Sequence, residues 1–379
     1  MADGSVQGLV GERFAPVREQ FERQIASGED IGASYCATLE GETVVDLWGG
    51  HADPARTRPW VKDTIVNVYS TTKTMTALTA LLVADRGGLD FDAPVAKYWP
   101  EFAANGKSQV KVSHLMSHSA GLSGWKEPIK PDDLYDWEKV TSLLAAQAPF
   151  WAPGSACGYH AVTQGYLVGE VVRRVTGKTL GAVFREEIAG PMGADFHIGL
   201  PASEDARVAE LLAPPPGTGI SDGNQSDLIR NMSSNPGIDV AATRTRAWRG
   251  AEIPAAGGTG NARSVAEIHT ILANGGVAKG RRYLSEAGCR KALEFQIGGV
   301  DMILGLPVRY GIGFGLSGGR IPFPNPNTIY WGGYGGSLAI IDMDARTTFA
   351  YAMNRMAGTT VGDVRAFSLA MAMWQALAT

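Results

Sequence analysis

Ser70 and Lys73 are the residues of this chain whose types and spacing point most directly to chemistry. Side chains three residues apart on a helix lie on the same face. An amine beside a serine hydroxyl can take its proton and so make the oxygen a nucleophile. The segment Ser70-Thr71-Thr72-Lys73 therefore indicates acyl transfer through a covalent serine intermediate, with lysine in the role that histidine has in other hydrolases.

The spacing by itself is common, because Ser-x-x-Lys occurs three times in this sequence. The other two copies begin at Ser108 and Ser123 and fall in turn-like and loop-like sequence. Only Ser70 precedes a long apolar helix, which ends near Gly87. At a helix N-terminus, backbone N–H groups favour developing negative charge. On spacing alone, the alternative is that Ser70 caps the helix and Lys73 is a surface lysine.

Composition excludes several classes of partner. The 379 residues carry a net charge of -4, which provides no basic field for nucleic acid. We therefore expect no nucleic-acid partner. No apolar stretch approaches the ~20 residues that span a bilayer, so we expect no membrane partner either. The cysteines at 36, 157 and 289 form no C-x-x-C pair. We expect them to be reduced, and since no apolar signal segment follows Met1, the sequence favours a cytoplasmic location. Because no metal or nucleotide motif is present, no metal and no cofactor is expected.

The apolar periodicity predicts an α/β (α+β) fold. Helices are predicted over 10–28, 70–87, 166–175, 264–272 and 367–377, a loop over 214–219, and strands over 32–39, 43–48, 310–316, 329–331, 337–342 and 348–353. We expect residues 1–88 and 255–379 to form one α/β domain, an antiparallel sheet flanked by helices. The mostly helical region 89–254 would be inserted into it, with the active site at the junction.

Four further segments stand out after Ser70, and they come in order along the chain. They are His118-Ser119-Ala120-Gly121-Leu122, Gly158-Tyr159-His160-Ala161 followed by Gly165-Tyr166, Ala256-Gly257-Gly258, and Trp331-Gly332-Gly333-Tyr334-Gly335-Gly336-Ser337. Together the five segments resemble the class C β-lactamase and penicillin-binding-protein-like superfamily of serine hydrolases. Within it they are most similar to the family VIII carboxylesterases. The resemblance extends from about residue 10 to 377 and implies a β-lactamase-like fold.

The resemblance also implies a role for each residue of the site. Ser70 would be the nucleophile that forms an acyl-enzyme, and Lys73 and Tyr159 would share the general-base work. The backbone N–H groups of Ser70 and Tyr334 would form the oxyanion hole. Free lysine and tyrosine have pKa values of about 10.4 and about 10, so the site has to shift at least one of them. Which of the two is the resting base stays open at this point.

Two departures from the β-lactamase pattern bear on the substrate. β-Lactamases of this type have Tyr-x-Asn where this chain has Tyr159-His160-Ala161, and Lys-Thr-Gly where it has Trp331-Gly332-Gly333. The first change removes a side-chain amide, and the second removes a cation that could bind the carboxylate of a β-lactam. Trp331 offers an apolar wall instead. These changes favour neutral esters. We expect His160 to lie beside the site or at the surface without a catalytic role, and the resemblance implies that His118 belongs to a structural turn.

The sequence therefore predicts a serine carboxylesterase that acts on short-chain, small-molecule esters. The alternatives are a β-lactamase or peptidase, an acyltransferase with the same Ser/Lys/Tyr site, and a non-catalytic binding protein on a hydrolase scaffold. For the aromatic substrate-binding candidates, core packing is an equal alternative. The substrate-binding candidates are Trp331, Gly332, Gly333, Tyr334, Trp125, Trp151, Phe150 and Phe323.

Overall fold

The structure, a computed structural model, describes residues 4–216 and 226–378, so the predicted loop at 214–219 lies outside the described residues from 217 onward. The strands in the described ranges are β1 Gln7–Val10, β2 Gly32–Leu39, β3 Glu42–Gly50, β4 Val66–Asn67, β5 Phe196–His197, β6 Thr259–Gly260, β7 Val277–Ala278, β8 Arg281–Arg282, β9 Ile297–Val300, β10 Pro307–Tyr310, β11 Gly315–Leu316, β12 Thr328–Gly332, β13 Leu338–Asp342 and β14 Thr347–Met353. At the centre of the structure, nine of these strands form one sheet in which every neighbouring pair is antiparallel, in the order β1-β3-β2-β14-β13-β12-β11-β10-β9.

Helices cover both faces of this sheet. The α-helices of the described ranges are α1 Ala15–Ser27, α2 Thr72–Asp85, α3 Val112–Met116, α4 Trp137–Ala146, α5 Thr163–Thr176, α6 Leu180–Phe184, α7 Gly190–Met192, α8 Asp227–Ser234, α9 Arg246–Gly250, α10 Ala262–Ala273, α11 Glu286–Arg290 and α12 Val364–Ala378. Successive side chains of a strand point to opposite faces. In β14, the Thr348 hydroxyl donates to Ala266 of α10, whereas the ring of Phe349 packs against Trp374 of α12. Thus α10 and α12 lie on opposite faces, and the predicted antiparallel sheet flanked by helices is confirmed.

The two ends of the chain meet inside this sheet. The predicted hairpin forms as β2 and β3, and β2 pairs along its length with β14, so that Cys36 lies opposite Ala350. Every residue of β14 is buried, because helices cover the strand on both sides.

The short strands towards the two edges of the sheet differ most from the prediction. Residues 7–10 form β1, paired with β3, and α1 begins only at Ala15, after a turn of 3-10 helix over Glu12–Phe14. The predicted strand over 310–316 is interrupted after Tyr310, where Gly311 donates its N–H to the carbonyl of Phe314 and closes a turn. The strand β9 had no predicted counterpart. Short strands carry too few residues for a clear alternation of apolar and polar side chains.

Helix α2 lies in the interior of the molecule. All its residues from Thr72 to Val83 are buried, which explains why this stretch is apolar or small around the whole helix except at Lys73. It contacts α5, α6 and α11 and reaches β12 of the main sheet. The residues at its start are therefore held from several sides. Across the described ranges, no helix has both the length and the apolar character needed to cross a bilayer.

Candidate active site

Ser70 lies in a single turn of 3-10 helix, Tyr69–Thr71, that leads into α2. The turn begins with an unusual conformation, because Tyr69 has φ of 43° although it is not glycine. The side chain of Asn67 supports the turn: its oxygen accepts from the N–H of Tyr69, and its amide donates to the carbonyls of Ala256 and Gly258. This segment turns Ser70 towards a cavity, although only 8% of the residue is exposed.

Ser70, Lys73 and Tyr159 meet at one oxygen atom. The Nζ of Lys73 lies 3.1 Å from the Oγ of Ser70, as expected for residues one helical turn apart. The phenol hydroxyl of Tyr159 donates to the same Oγ at 2.6 Å, from 89 residues away in sequence. The serine oxygen therefore has an amine and a phenol within hydrogen-bond distance.

The environment of Lys73 favours a neutral amine. The side chain is fully buried, and its Nζ donates to the carbonyl oxygens of Ala161 at 2.6 Å and Ala255 at 2.9 Å. Burial lowers the pKa of Lys73 well below its usual value, and no charged side chain in the described parts of the chain opposes this shift. A neutral amine has two N–H groups and one lone pair. Because the two carbonyls can only accept, they take both N–H groups and leave the lone pair to Ser70.

Tyr159 has the opposite preference and keeps its proton. Burial raises the pKa of Tyr159 well above its usual range, and the hydrogen bond to Ser70 opposes this only in part. The ring packs against His118 and Trp331, with centroid distances of 4.9 and 5.4 Å. A protonated phenol thus faces Ser70 from one side and a neutral amine from the other.

The two histidines near the Tyr159 ring, His118 and His160, form hydrogen bonds with backbone groups around the site. In His160, Nε2 accepts from the N–H of Leu122, so Nδ1 carries the proton and donates to the carbonyl of Gly158. The N–H of His160 donates in turn to Nδ1 of His118. Burial lowers the pKa of His160 to about 4 and that of His118 well below its usual value. Both are neutral and structural near pH 7.

The segment from Trp331 to Ser337 packs directly onto the nucleophile turn. The hydroxyl of Ser337 donates to the carbonyl of Val68 and lies 2.9 Å from the hydroxyl of Thr71. Gly333 accepts from the N–H of Gly336 and so closes a tight turn around Tyr334. A Cβ at Gly333 would lie 2.1 Å from the carbonyl oxygen of Val68, which explains why glycine is needed there.

A cavity of about 280 Å³ opens beside Ser70. Its wall is mostly apolar, and none of the twelve lining residues, all within the described ranges, has a charged side chain. They are Tyr69, Ser70, Tyr159, Ala161, Val162, Met232, Ser233, Pro236, Ile238, Ala256, Tyr334 and Thr360. Such a wall suits a small uncharged acyl group.

Most of the predicted aromatic candidates lie elsewhere. Tyr334 lines the cavity, and Trp331 lies behind Tyr159. Trp125 is buried against Tyr166 of α5, and Trp151 packs edge-on against a histidine ring. Phe150 contacts an exposed lysine, and Phe323 packs against Trp374 of α12. Of the predicted substrate-binding residues, Tyr334 lines the cavity at Ser70. The others are not among its lining residues: Trp331, Gly332, Gly333, Trp125, Trp151, Phe150 and Phe323.

Sequence reasoning missed the part of the wall that comes from α8 and the turn after it. Met232 and Ile238 line the cavity from there, and Val162 lines it from the start of α5. A signal for α8 was present, since Leu228, Ile229 and Met232 share one helical face. That pattern indicates a helix with a buried face but does not say what the face covers.

The chain was also compared with known proteins. The Beta-lactamase family profile matches residues 17–372. Esterase/beta-lactamase LipL of Mycobacterium tuberculosis is 35% identical over 369 residues, which cover 93% of this chain and 83% of that protein. Among solved structures, a family VIII carboxylesterase has a TM-score of 0.93 at 44% identity, covering 98% of this chain and 100% of the other. A penicillin-binding protein homologue from Caulobacter crescentus has a TM-score of 0.92 at 38% identity, with the same coverage.

Proposed function

This chain belongs to the β-lactamase family and is a serine hydrolase of the carboxylesterase and β-lactamase type, and from this premise we propose that it hydrolyses short-chain, uncharged carboxylic esters. The observation that carries the proposal is the pair of contacts at the Oγ of Ser70, 3.1 Å to the amine of Lys73 and 2.6 Å to the phenol of Tyr159. An acyl-enzyme on Ser70 is the intermediate.

In the proposed acylation, Lys73 is the base and Tyr159 the acid. The lone pair of Lys73 takes the Ser70 proton as Oγ attacks the acyl carbon. The negative charge on the carbonyl oxygen is stabilised by the backbone N–H groups of Ser70 and Tyr334. When the ester bond breaks, Tyr159 gives its proton to the leaving alcohol oxygen. The proton that Lys73 took then passes to the phenolate of Tyr159, which returns Lys73 to a neutral amine and Tyr159 to a phenol.

Deacylation repeats these steps with water as the nucleophile. Water attacks the acyl carbon, one of its protons goes to Lys73, and its hydroxyl becomes part of the product acid. The Oγ of Ser70 leaves the acyl group and recovers a proton from Tyr159. The lowered pKa of Lys73 and the raised pKa of Tyr159 support this division of roles.

The chemistry of the cavity wall supports a neutral ester over a β-lactam. β-Lactam substrates carry a carboxylate, and the wall offers no cation to bind one. The apolar side chains of Met232, Ile238 and Val162 suit a short aliphatic acyl chain instead. The cavity volume of about 280 Å³ favours short chains over long ones. The third motif, Trp331, Gly332, Gly333 and Tyr334, remains our candidate for further substrate contact.

We also propose that residues 1–88 with 255–379, and residues 89–254, are two domains that share this site. Ser70 and Lys73 come from the first part, Tyr159 from the middle and Tyr334 from the last. A site of this kind joins groups from each part of the chain, which supports a junction.

Hydrolysis of p-nitrophenyl acetate, butyrate and octanoate, measured beside nitrocefin, tests the proposed function. We expect turnover of acetate and butyrate that is lost in Ser70→Ala, with little turnover of nitrocefin. Nitrocefin is included because the relative LipL is named as both an esterase and a beta-lactamase. Undiminished ester turnover in Ser70→Ala would refute the nucleophile. If nitrocefin is turned over as fast as the esters, the proposed esterase function is wrong and a β-lactam hydrolase function takes its place.

A further inference from the structure

Asp301 is a buried carboxylate directly behind the candidate general acid. It follows β9, is fully buried, and pairs with no lysine or arginine in the described parts of the chain. Its Oδ1 accepts from three backbone N–H groups, those of Tyr159 at 3.0 Å, Ile303 at 2.9 Å and Leu304 at 2.8 Å. Its Oδ2 accepts from the hydroxyl of Tyr310 at 3.0 Å.

These bonds join two segments that are far apart in sequence. The N–H of Met302 donates to the carbonyl of Cys157 at 3.0 Å, next to the bond between Tyr159 and Asp301. The backbone N–H of Asp301 donates to the carbonyl of Leu306 at 2.9 Å and so closes the turn that follows Asp301. The backbone of Tyr159 is therefore attached to a turn of the main-sheet region by one carboxylate.

Asp301 also reaches the ring of Tyr159 by a second route. The ring of Tyr310, which Asp301 holds by its hydroxyl, packs 5.0 Å from His118 and 5.6 Å from Trp331 between centroids. Those two rings are the ones that pack against Tyr159. One carboxylate thus supports both the backbone and the ring environment of the phenol that contacts Ser70.

We propose that Asp301 is a positioning residue of the reaction, which holds Tyr159 so that its hydroxyl stays on the Oγ of Ser70. The inference rests on the proposed function, in which Tyr159 is the general acid. A proton donor displaced by about 1 Å can lower the rate about 100-fold. The negative charge of Asp301 adds to burial in raising the pKa of Tyr159, so it also helps keep the phenol protonated.

The alanine and asparagine variants separate positioning from charge. We expect Asp301→Ala to lower kcat for p-nitrophenyl butyrate about 100-fold, with KM changed less than threefold. Asp301→Asn keeps the oxygen that accepts the three N–H groups, and its amide can donate to Tyr310, so kcat should return to within about tenfold of wild type. An equal loss of kcat in both variants would overturn the positioning role.

Asp342 provides a matched control for loss of stability. It too is a fully buried carboxylate, which accepts from the N–H groups of Asp344 and Ala345 and from the side chains of Asn325 and Trp374. Asp342→Ala should lower the urea midpoint while each folded molecule keeps wild-type kcat. A kcat loss in Asp342→Ala as large as in Asp301→Ala would mean that the effect is general destabilisation.

A double-mutant cycle gives the sharpest test. In a Tyr159→Phe background, Asp301→Ala should lower kcat less than threefold further, because the hydroxyl it positions is already absent. A full additional 100-fold loss would overturn the proposal. If Asp301→Ala does not fold, Asp301→Glu, which keeps the charge but displaces the carboxylate by one methylene, takes its place. Retained activity in Ser70→Ala would instead refute the proposed function, and the positioning role of Asp301, which depends on it, would be refuted as well.

Discussion

If Lys73 is the base that we propose, its lowered pKa must also make the stability of this protein depend on pH. A buried lysine with a lowered pKa sheds its proton when the chain folds and regains it on unfolding. In the pH range between that lowered pKa and about 10.4, the value in an unfolded chain, the unfolded state binds one more proton than the folded state. The contribution of Lys73 to the free energy of unfolding therefore rises with pH across this range.

Replacement of Lys73 by methionine removes this dependence. The variant keeps an unbranched side chain of similar length but has no proton to exchange. Loss of the hydrogen bonds to Ala161 and Ala255 changes stability by an amount that does not vary with pH. The difference in unfolding free energy, wild type minus Lys73→Met, should therefore increase by about 1.4 kcal/mol per pH unit inside the range and be flat below it.

Urea unfolding at half-unit steps from pH 6 to 9.5 measures this slope. The pH at which the slope begins should coincide with the rising limb of kcat/KM for p-nitrophenyl butyrate, because both report the loss of the Lys73 proton in the free enzyme. Lys73→Met should also lower kcat about 100- to 10,000-fold. Lys62→Met, at an exposed lysine, should leave turnover and stability near wild type.

A difference that stays flat from pH 6 to 9.5 would refute the reasoning. It would mean that Lys73 is protonated in the folded protein over the whole range. Tyr159, and not Lys73, would then have to supply the base. If the stability difference begins to rise at a pH far from the rising limb of kcat/KM, the two measurements report different groups. The rising limb of kcat/KM would then be due to a group other than Lys73.

Three further substitutions test other parts of the site. Tyr159→Phe removes the hydroxyl 2.6 Å from Ser70 and should lower kcat about 100- to 10,000-fold, while the unfolding free energy changes by less than about 2 kcal/mol. Ile238→Ala opens the apolar wall, so the ratio of kcat/KM for octanoate over acetate should rise about tenfold. Gly333→Ala brings a methyl group against Val68 and should destabilise the protein by about 1–3 kcal/mol, with loss of turnover.

Each of these has a matched control. Tyr283→Phe, whose ring faces Arg281, should keep wild-type turnover. Val364→Ala, at an exposed position, should keep the wild-type chain-length preference. Gly11→Ala, where the nearest heavy atom to a new Cβ is 3.4 Å away, should keep wild-type stability. Full turnover in Tyr159→Phe, an unchanged chain preference in Ile238→Ala, or a wild-type urea midpoint in Gly333→Ala would each contradict the corresponding assignment.

Local sequence determined much of the fold. The hairpin of β2 and β3, helix α5 with its left-handed Gly177, and the central strands β12 to β14 were all predictable from the alternation of side chains and from glycine. Strands β1 and β9 were not, because a four-residue segment gains most of its stability from the neighbour it pairs with. Helix α10 begins after the cap Asn261, not at Ser264, because both side chains make the reciprocal capping bonds.

The sequence by itself determined the contact of Ser70 with Lys73, since residues one turn apart on a helix must lie on one face. Only the tertiary structure decided what surrounds that contact. The approach of Tyr159 and the support from Asp301 cross gaps of 89 and 142 residues. The carbonyls that hold the Lys73 amine, and the helix α8 that covers the cavity, also come from distant segments. Whether an aromatic side chain such as Trp125 faces substrate or core depends on what packs against it, and that information lies outside its own segment of the chain.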